Sequence, residues 1–131
     1  MRVFSLNHEN FQLSLELDEY TEGDKKVFTC RFKYSSINKE IFIYKLDFNK
    51  ELLSEFSFNL KDILNGYIKE CCLRDHTKQI KFMICEVAEN FSLSIRNDPE
   101  KPQSTIYLKQ KVDYYPLKSL HKELVEFISV F

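Results

Sequence analysis

The chain has 131 residues, of which 44% are hydrophobic and 30% charged, and its 19 basic and 20 acidic residues leave a net charge of −1. This size and composition are typical of one folded domain, and the charge balance argues against the strongly basic surface of a nucleic-acid binder. No apolar run reaches the ~20 residues that a membrane-spanning helix needs. The first residues, from Met1 to Asn7, lack the apolar stretch and small-residue cleavage site of a signal peptide, so we expect a single cytoplasmic domain over residues 1–131.

Alternation of apolar and polar residues with period two runs through most of the chain. Phe11, Leu13, Leu15 and Leu17, for example, alternate with polar residues, which is the pattern of a half-buried strand. Short turns separate the alternating segments, and this favours antiparallel pairing over parallel crossovers. Strands are predicted at residues 11–17, 28–34, 41–48, 68–73, 80–87, 91–95 and 105–112.

Two segments have helical spacing instead. In residues 49–65, Asp47 or Asn49 can cap the helix N-terminus, and Gly66 stands where a left-handed residue ends a helix. The second segment covers about residues 116–130, where Pro116 suits the first helical position. The sequence therefore predicts an α+β fold: a mostly antiparallel sheet of about seven to eight strands, or two packed sheets, with both helices packed on it.

Four cysteines are present, Cys30, Cys71, Cys72 and Cys85. Adjacent residues of a strand point to opposite faces, so Cys71 and Cys72 are poorly placed for a disulfide. With His76 the cysteines contain the atoms of a metal site, but they lack the C-x-x-C pairing of zinc ligands. We expect Cys85 and one of the adjacent pair to fill the core, and no metal or cofactor to be bound.

Catalytic signatures are not recognisable in the sequence. There is no nucleophile elbow, P-loop or dinucleotide fingerprint, and two glycines are too few for a phosphate cradle. Each histidine suits a turn or a helix boundary better than the role of a general base. The prediction is a protein that is not an enzyme, and the alternative is a small enzyme or ligand carrier with Tyr44, Tyr67 and His121 in a pocket.

Nucleic-acid binding has one local argument in its favour. Tyr107, Lys109 and Lys111 share a strand face and could supply stacking and phosphate contacts. Because acidic residues are as common as basic ones, an ordinary exposed strand face is favoured. We therefore predict that nucleic acid is not a partner.

The distribution of charge along the chain is more informative than its total. From Glu9 to Asp24 there are only acidic charges, with no Lys or Arg. If the first hairpin keeps its carboxylates on one surface, they form an acidic patch that attracts a basic protein partner. The charge can also serve only to block edge-to-edge pairing of a solvated hairpin. The candidate binding residues are Glu16, Asp18, Glu19, Glu22 and Asp24.

The order of the segments resembles a known group of proteins. An N-terminal hairpin, a strand and a helix ending in Leu60-Lys61-Asp62-Ile63-Leu64-Asn65-Gly66 precede a strand meander and a last segment from Tyr114 to Leu124. This outline is similar to small bacterial immunity proteins of polymorphic toxin systems, in particular the inhibitor family that protects against the wall-associated toxin. The resemblance implies a non-catalytic cytoplasmic protein that binds and blocks a toxin domain. The alternative is a structural or regulatory module that self-associates, for example as a homodimer.

Overall fold

The computed structural model describes residues 1–38, 41–97 and 107–131. Within these ranges the chain forms eight strands and two helices. In chain order they are β1 (Arg2–Asn7), β2 (Phe11–Glu22), β3 (Lys26–Ser36), β4 (Ile41–Asn49), α1 (Lys50–Leu64), β5 (Glu70–Arg74), β6 (Ile80–Val87), β7 (Asn90–Asn97), β8 (Tyr107–Val112) and α2 (Tyr114–Val130).

The strands form two separate antiparallel sheets. Sheet 1 has the order β1-β2-β3-β4 and sheet 2 has the order β5-β6-β7-β8. Each sheet is a meander followed by one helix, so the chain repeats a unit of four strands and a helix. The predicted α+β class is confirmed, and of the two sheet arrangements the structure has the pair of sheets. Residues 105 and 106, which the sequence assigns to the last strand, lie outside the described residues.

Strand β1 was not predicted, and its packing explains why. Val3 and Phe4 are both buried, because a bulge shifts the register between Arg2 and Phe4. Two neighbouring buried residues break the period-two pattern on which strand prediction depends. The strand is nevertheless paired with β2 from Arg2 to Asn7.

Helix α1 begins and ends where the sequence predicts. The side-chain oxygen of Asn49 accepts a hydrogen bond of 2.7 Å from the backbone N–H of Leu52, so Asn49 rather than Asp47 is the N-cap. Gly66 has φ of +79°, the left-handed conformation that glycine adopts at little cost. Neither α1 nor α2 is long and apolar enough to cross a membrane.

Helix α2 begins two residues earlier than predicted, at Tyr114 with Asp113 as N-cap. Pro116 is therefore the third helical residue and not the first. The position is tolerated, because the first backbone N–H groups of a helix have no partner within the helix and a missing one costs little there. Leu117, Leu120 and Leu124 are fully buried and form the inner stripe of the helix.

The inner faces of both sheets and the buried stripes of both helices share one core. The rings of Phe4 on β1, Phe56 on α1 and Phe82 on β6 have centroids 5.8 to 6.3 Å apart. The backbone N–H of His76 also donates to the carbonyl of Asp47 at 2.6 Å. These contacts hold the two sheets and α1 together.

The contact between the two helices contains a histidine. His121 on α2 is half-buried, and burial lowers its pKa from 6.5, although a hydrogen bond with the backbone of Ser57 opposes the shift. Lys61 on α1 lowers the pKa further through its positive charge.

This lowered pKa predicts a loss of stability in mild acid. The neutral imidazole is favoured in the folded state, so stability is complete above pH 6.5 and falls as the pH drops through the lowered pKa of His121. Urea unfolding between about pH 7.5 and about pH 5.5 should therefore show a smaller decrease in the free energy of unfolding for His121→Gln than for the unchanged protein. An equal decrease in both would contradict the assignment.

The turn between β6 and β7 is strained. Ala88 and Glu89, its two central residues, have φ of +46° and +69°, and Val87 pairs with Asn90 on either side. Two positive φ values are typical of a type I′ turn, which favours Asn followed by Gly.

Replacing the pair by Ala88→Asn and Glu89→Gly should stabilise the protein by about 1 kcal/mol, because residues suited to positive φ remove the strain. The midpoint of urea unfolding measures the effect. Glu89→Gln is the matched control, since it removes the charge and keeps the backbone cost. A double variant no more stable than this control would contradict the turn geometry.

Candidate functional site

Sheet 2 has an outer face that points away from the core. The residues of this face alternate with the buried residues along each strand. Leu73, Phe82 and Ile95 are buried and lie in one row across β5, β6 and β7. Because side chains alternate along a strand, the next row across the same three strands points outward. That outward row is Arg74, Lys81 and Arg96, with Arg74 paired to Lys81 and Lys81 paired to Arg96.

Three cations in a cross-strand row are unfavourable for the fold itself. Side chains directly opposite each other on antiparallel strands have Cβ atoms about 5 Å apart, and like charges there are destabilising. Among the described residues, none of the three forms an ion pair with a carboxylate. An anion placed over the row would offset the repulsion.

Strand β8 adds two more cations to the same face. Lys109 pairs with Ser94 and Lys111 pairs with Ser92, and both lysines are exposed. We call Arg74, Lys81, Arg96, Lys109 and Lys111 together the basic face. One acidic residue, Glu70, lies on the described part of this face, near its β5 edge. Among the described residues, this surface thus carries five cations against a single carboxylate.

Cys85 lies among these charges on the outer face, opposite Glu70 on β5. Burial raises the pKa of its thiol and Glu70 adds to the increase, whereas Lys109 and Lys81 lower it. The Cys85 sulfur is 4.0 Å from a carboxylate oxygen of Glu70. Cys85 was predicted to fill the core and lies instead on the outer face, because its neighbour Ile84 takes the inward position.

The positions of Cys71 and Cys72 agree with the prediction from the sequence. Cys71 is buried and Cys72 exposed, as expected for adjacent strand residues, and burial raises the pKa of the Cys71 thiol to about 12. Such a thiol is unreactive at neutral pH. Within residues 1–38, 41–97 and 107–131, no three His, Cys, Asp or Glu side chains are grouped so that they could hold a metal ion.

The outer face of sheet 1 has a different charge pattern. Arg31 lies 3.1 Å from a carboxylate oxygen of Glu16 and 3.8 Å from one of Asp18. Cations and carboxylates are interspersed here, so these charges compensate each other.

The predicted acidic patch is therefore divided. Glu16 and Asp18 are in ion pairs, whereas Glu19, Glu22 and Asp24 are exposed towards the far end of the β2–β3 hairpin. A bulge between Leu17 and Glu19 interrupts the alternation on which a common face would depend. Whether these residues bind a partner stays a prediction.

The proposed ligand pocket is not assembled in this form. Tyr67 is 77% exposed, which leaves it outside any enclosed cavity, and His121 is occupied by the contact between α1 and α2. Lys109 and Lys111, named from the sequence, are part of the basic face. The side chain of Tyr107, named with them, lies outside the described residues. Arg74, Lys81 and Arg96 were missed, because only strand pairing brings them into one row.

Comparison with known proteins gives a fold and no family. No family model and no curated protein matches the chain. Among solved structures, MRP1/MRP2 from Trypanosoma brucei is similar with 12% identity and a TM-score of 0.50, over 99% of this chain and 83% of that chain. WHY3 from Arabidopsis thaliana has 10% identity and a TM-score of 0.48, over 95% of this chain and 84% of that chain. The first likeness shows a shared fold.

The prediction that excluded nucleic acid as a partner is wrong. MRP1/MRP2, whose fold this chain shares, is RNA-binding, so the fold does not exclude a nucleic-acid partner. The exclusion was based on the net charge of −1. A net charge sums over the whole surface, whereas binding depends on how cations are distributed over one face.

Proposed function

We propose that the protein binds single-stranded nucleic acid across the outer face of sheet 2. The observation that carries the proposal is the row of Arg74, Lys81 and Arg96 across three neighbouring strands, without carboxylate partners among the described residues. Lys109 and Lys111 extend the positive charge to the β8 edge. Phosphate groups over this face would relieve a repulsion that the fold otherwise bears.

The shape of the site favours a single strand. A four-stranded sheet presents a broad face, with neighbouring strands about 4.8 Å apart and outward residues about 7 Å apart along each strand. An extended strand of nucleic acid can lie across such a face and expose both phosphates and bases to it. A broad sheet does not fit into the major groove of a duplex, which admits a helix or a two-stranded ribbon.

The side chains on the basic face favour recognition of the backbone over sequence. The outward positions between the cations hold Ser92, Ser94 and Met83. These side chains do not form a repeated pattern of donors and acceptors that could read the base sequence of a bound nucleic acid. Arg and Lys contacts to phosphate position a nucleic acid without reading its sequence. The proposed function is therefore binding with low sequence preference.

A titration with fluorescently labelled single-stranded 15-mers of RNA and DNA tests the proposal. Fluorescence anisotropy should show binding at low salt that weakens as KCl is raised. Each phosphate contact contributes a slope of about −0.7 in a plot of log affinity against log salt concentration, so the five cations set a limit of about −3.5. Affinity that is independent of salt, or the lack of any binding at low salt, would refute it.

A second function, that of an immunity protein, is favoured by one feature of sheet 1. Glu19, Glu22 and Asp24 are exposed at the end of the β2–β3 hairpin and form no ion pair with the described residues. We propose as the alternative that these carboxylates bind a basic toxin domain. Co-expression with toxin domains encoded by genes adjacent to its own tests this. A one-to-one complex weakened by Glu19→Lys with Glu22→Lys supports the alternative, and the lack of a complex rejects it.

A further inference from the structure

A depression of about 390 Å³ lies at the β8 end of the basic face, beside the β6–β7 turn. Val87, Asn90, Ser92, Lys109 and Lys111 are among the residues that line it. Pairing places Val87 opposite Asn90, and Ser92 opposite Lys111, on the outward side of the sheet. The depression is therefore continuous with the proposed binding surface.

The chemistry of the depression differs from that of the rest of the face. Val87 is 56% exposed, which is unusual for a valine and leaves apolar surface that a flat ring could cover. The amide of Asn90 offers both a donor and an acceptor, the combination that the edge of a nucleobase requires. The other described outward positions on β5 to β7 carry Arg, Lys, Ser, Cys and Met side chains, together with the carboxylate of Glu70.

The two lysines are placed on the same strand beside this apolar surface. Lys109 and Lys111 are separated by one residue of β8, about 7 Å along the strand. This separation is comparable to that of neighbouring phosphates in an extended single strand. A base that enters the depression would thus have a cation available for the phosphate on each side.

The strained turn forms part of the same wall. Ala88 also lines the depression, and both Ala88 and Glu89 have positive φ. Strained backbone of non-glycine residues is concentrated at ligand-binding positions in proteins. The cavity and the strain are separate observations at one place.

From these features we infer that the depression holds one unstacked base of the bound strand, with Val87 against the ring, Asn90 at its edge, and Lys109 and Lys111 on the flanking phosphates. This inference rests on the proposed binding of single-stranded nucleic acid. It adds a site that depends on the base to a surface that otherwise recognises the backbone.

The experiment compares two 15-unit probes, oligodeoxythymidylate and an abasic oligomer with the same sugar-phosphate backbone and no bases. Ser92→Ile fills the depression and suits a strand because isoleucine is β-branched. Ser14→Ile is the matched control, since Ser14 is also half-buried at an outward strand position opposite a lysine, Lys33, but lies on sheet 1 and outside the proposed binding surface. Asn90→Ala is a second variant, which removes the amide without adding volume.

We expect Ser92→Ile to weaken binding of oligodeoxythymidylate roughly tenfold and to leave binding of the abasic oligomer unchanged, because stacking of a single base has about that effect. Asn90→Ala should act in the same direction, and Ser14→Ile should change neither affinity. Equal effects of Ser92→Ile or Asn90→Ala on both probes would overturn the base site, while the proposed binding surface on sheet 2 would still stand. If neither probe binds to the unchanged protein, the proposed function itself is wrong.

Discussion

Exchanging both Lys81 and Arg96 for glutamate should weaken binding of a single-stranded 15-mer on the order of 100-fold at low salt. The two residues lie opposite each other on β6 and β7, the two middle strands of sheet 2. The change reverses two charges that have no carboxylate partner among the described residues, so the loss of attraction is not offset by a broken ion pair. The slope of log affinity against log salt concentration should also become less steep.

The fold should tolerate this double variant. Lys81→Glu places a carboxylate opposite Arg74 on β5, where two positive charges now face each other. The stability of the variant should therefore be equal or slightly greater. A large loss of affinity in a variant with an unchanged melting temperature separates the loss of function from unfolding.

Lys33→Glu with Lys45→Glu is the matched control on the other sheet. These lysines are exposed at outward positions of β3 and β4, and the same number of charges is reversed. Because sheet 1 combines cations with carboxylates, we expect less than a threefold change in affinity. Equal losses in the two double variants would indicate non-specific attraction to the whole protein and would contradict a site on sheet 2.

Replacing Phe82 by alanine should reduce the free energy of unfolding by about 3–5 kcal/mol. Phe82 is 3% exposed, and its ring lies 5.9 Å from that of Phe4 and 5.8 Å from that of Phe56. These three rings belong to sheet 1, α1 and sheet 2. The loss combines the transfer of a buried ring to water with a cavity that the strands on either side cannot close.

Urea unfolding measures this effect, and Phe58→Ala is its matched control. Phe58 lies on α1 and its side chain is 68% exposed. Its substitution by alanine removes the same ring as Phe82→Ala does. We expect its substitution to change stability by less than about 0.5 kcal/mol. If Phe82→Ala costs no more than Phe58→Ala, the ring cluster does not hold the two sheets together.

The two proposed activities would use different sheets. The basic face is on sheet 2, whereas the exposed carboxylates Glu19, Glu22 and Asp24 are on the β2–β3 hairpin of sheet 1. Lys81→Glu with Arg96→Glu and Glu19→Lys with Glu22→Lys therefore separate the two functions in one set of experiments. Self-association stays a prediction. Ile41 and Ile43, exposed at 60% and 58% on the edge strand β4, are among the apolar residues that it could use.

The sequence by itself determined the elements of the fold. Alternation and helical spacing predicted most of the strands and both helices, since these patterns follow directly from the geometry of each element. It also placed Cys71 and Cys72 on opposite faces, and the helix end at Gly66, because both depend on neighbouring residues only. Strand β1 was missed where a bulge interrupts the pattern.

Only the tertiary structure decided the candidate site. Arg74, Lys81 and Arg96 are separated along the chain by two turns and most of β6 and β7, and no local pattern relates them. Their row exists because antiparallel pairing fixes the register between β5, β6 and β7, and that register is set by which buried residues pack together across the sheet. The same pairing separates the cations of sheet 2 from the carboxylates of sheet 1, which a net charge of −1 cannot reveal.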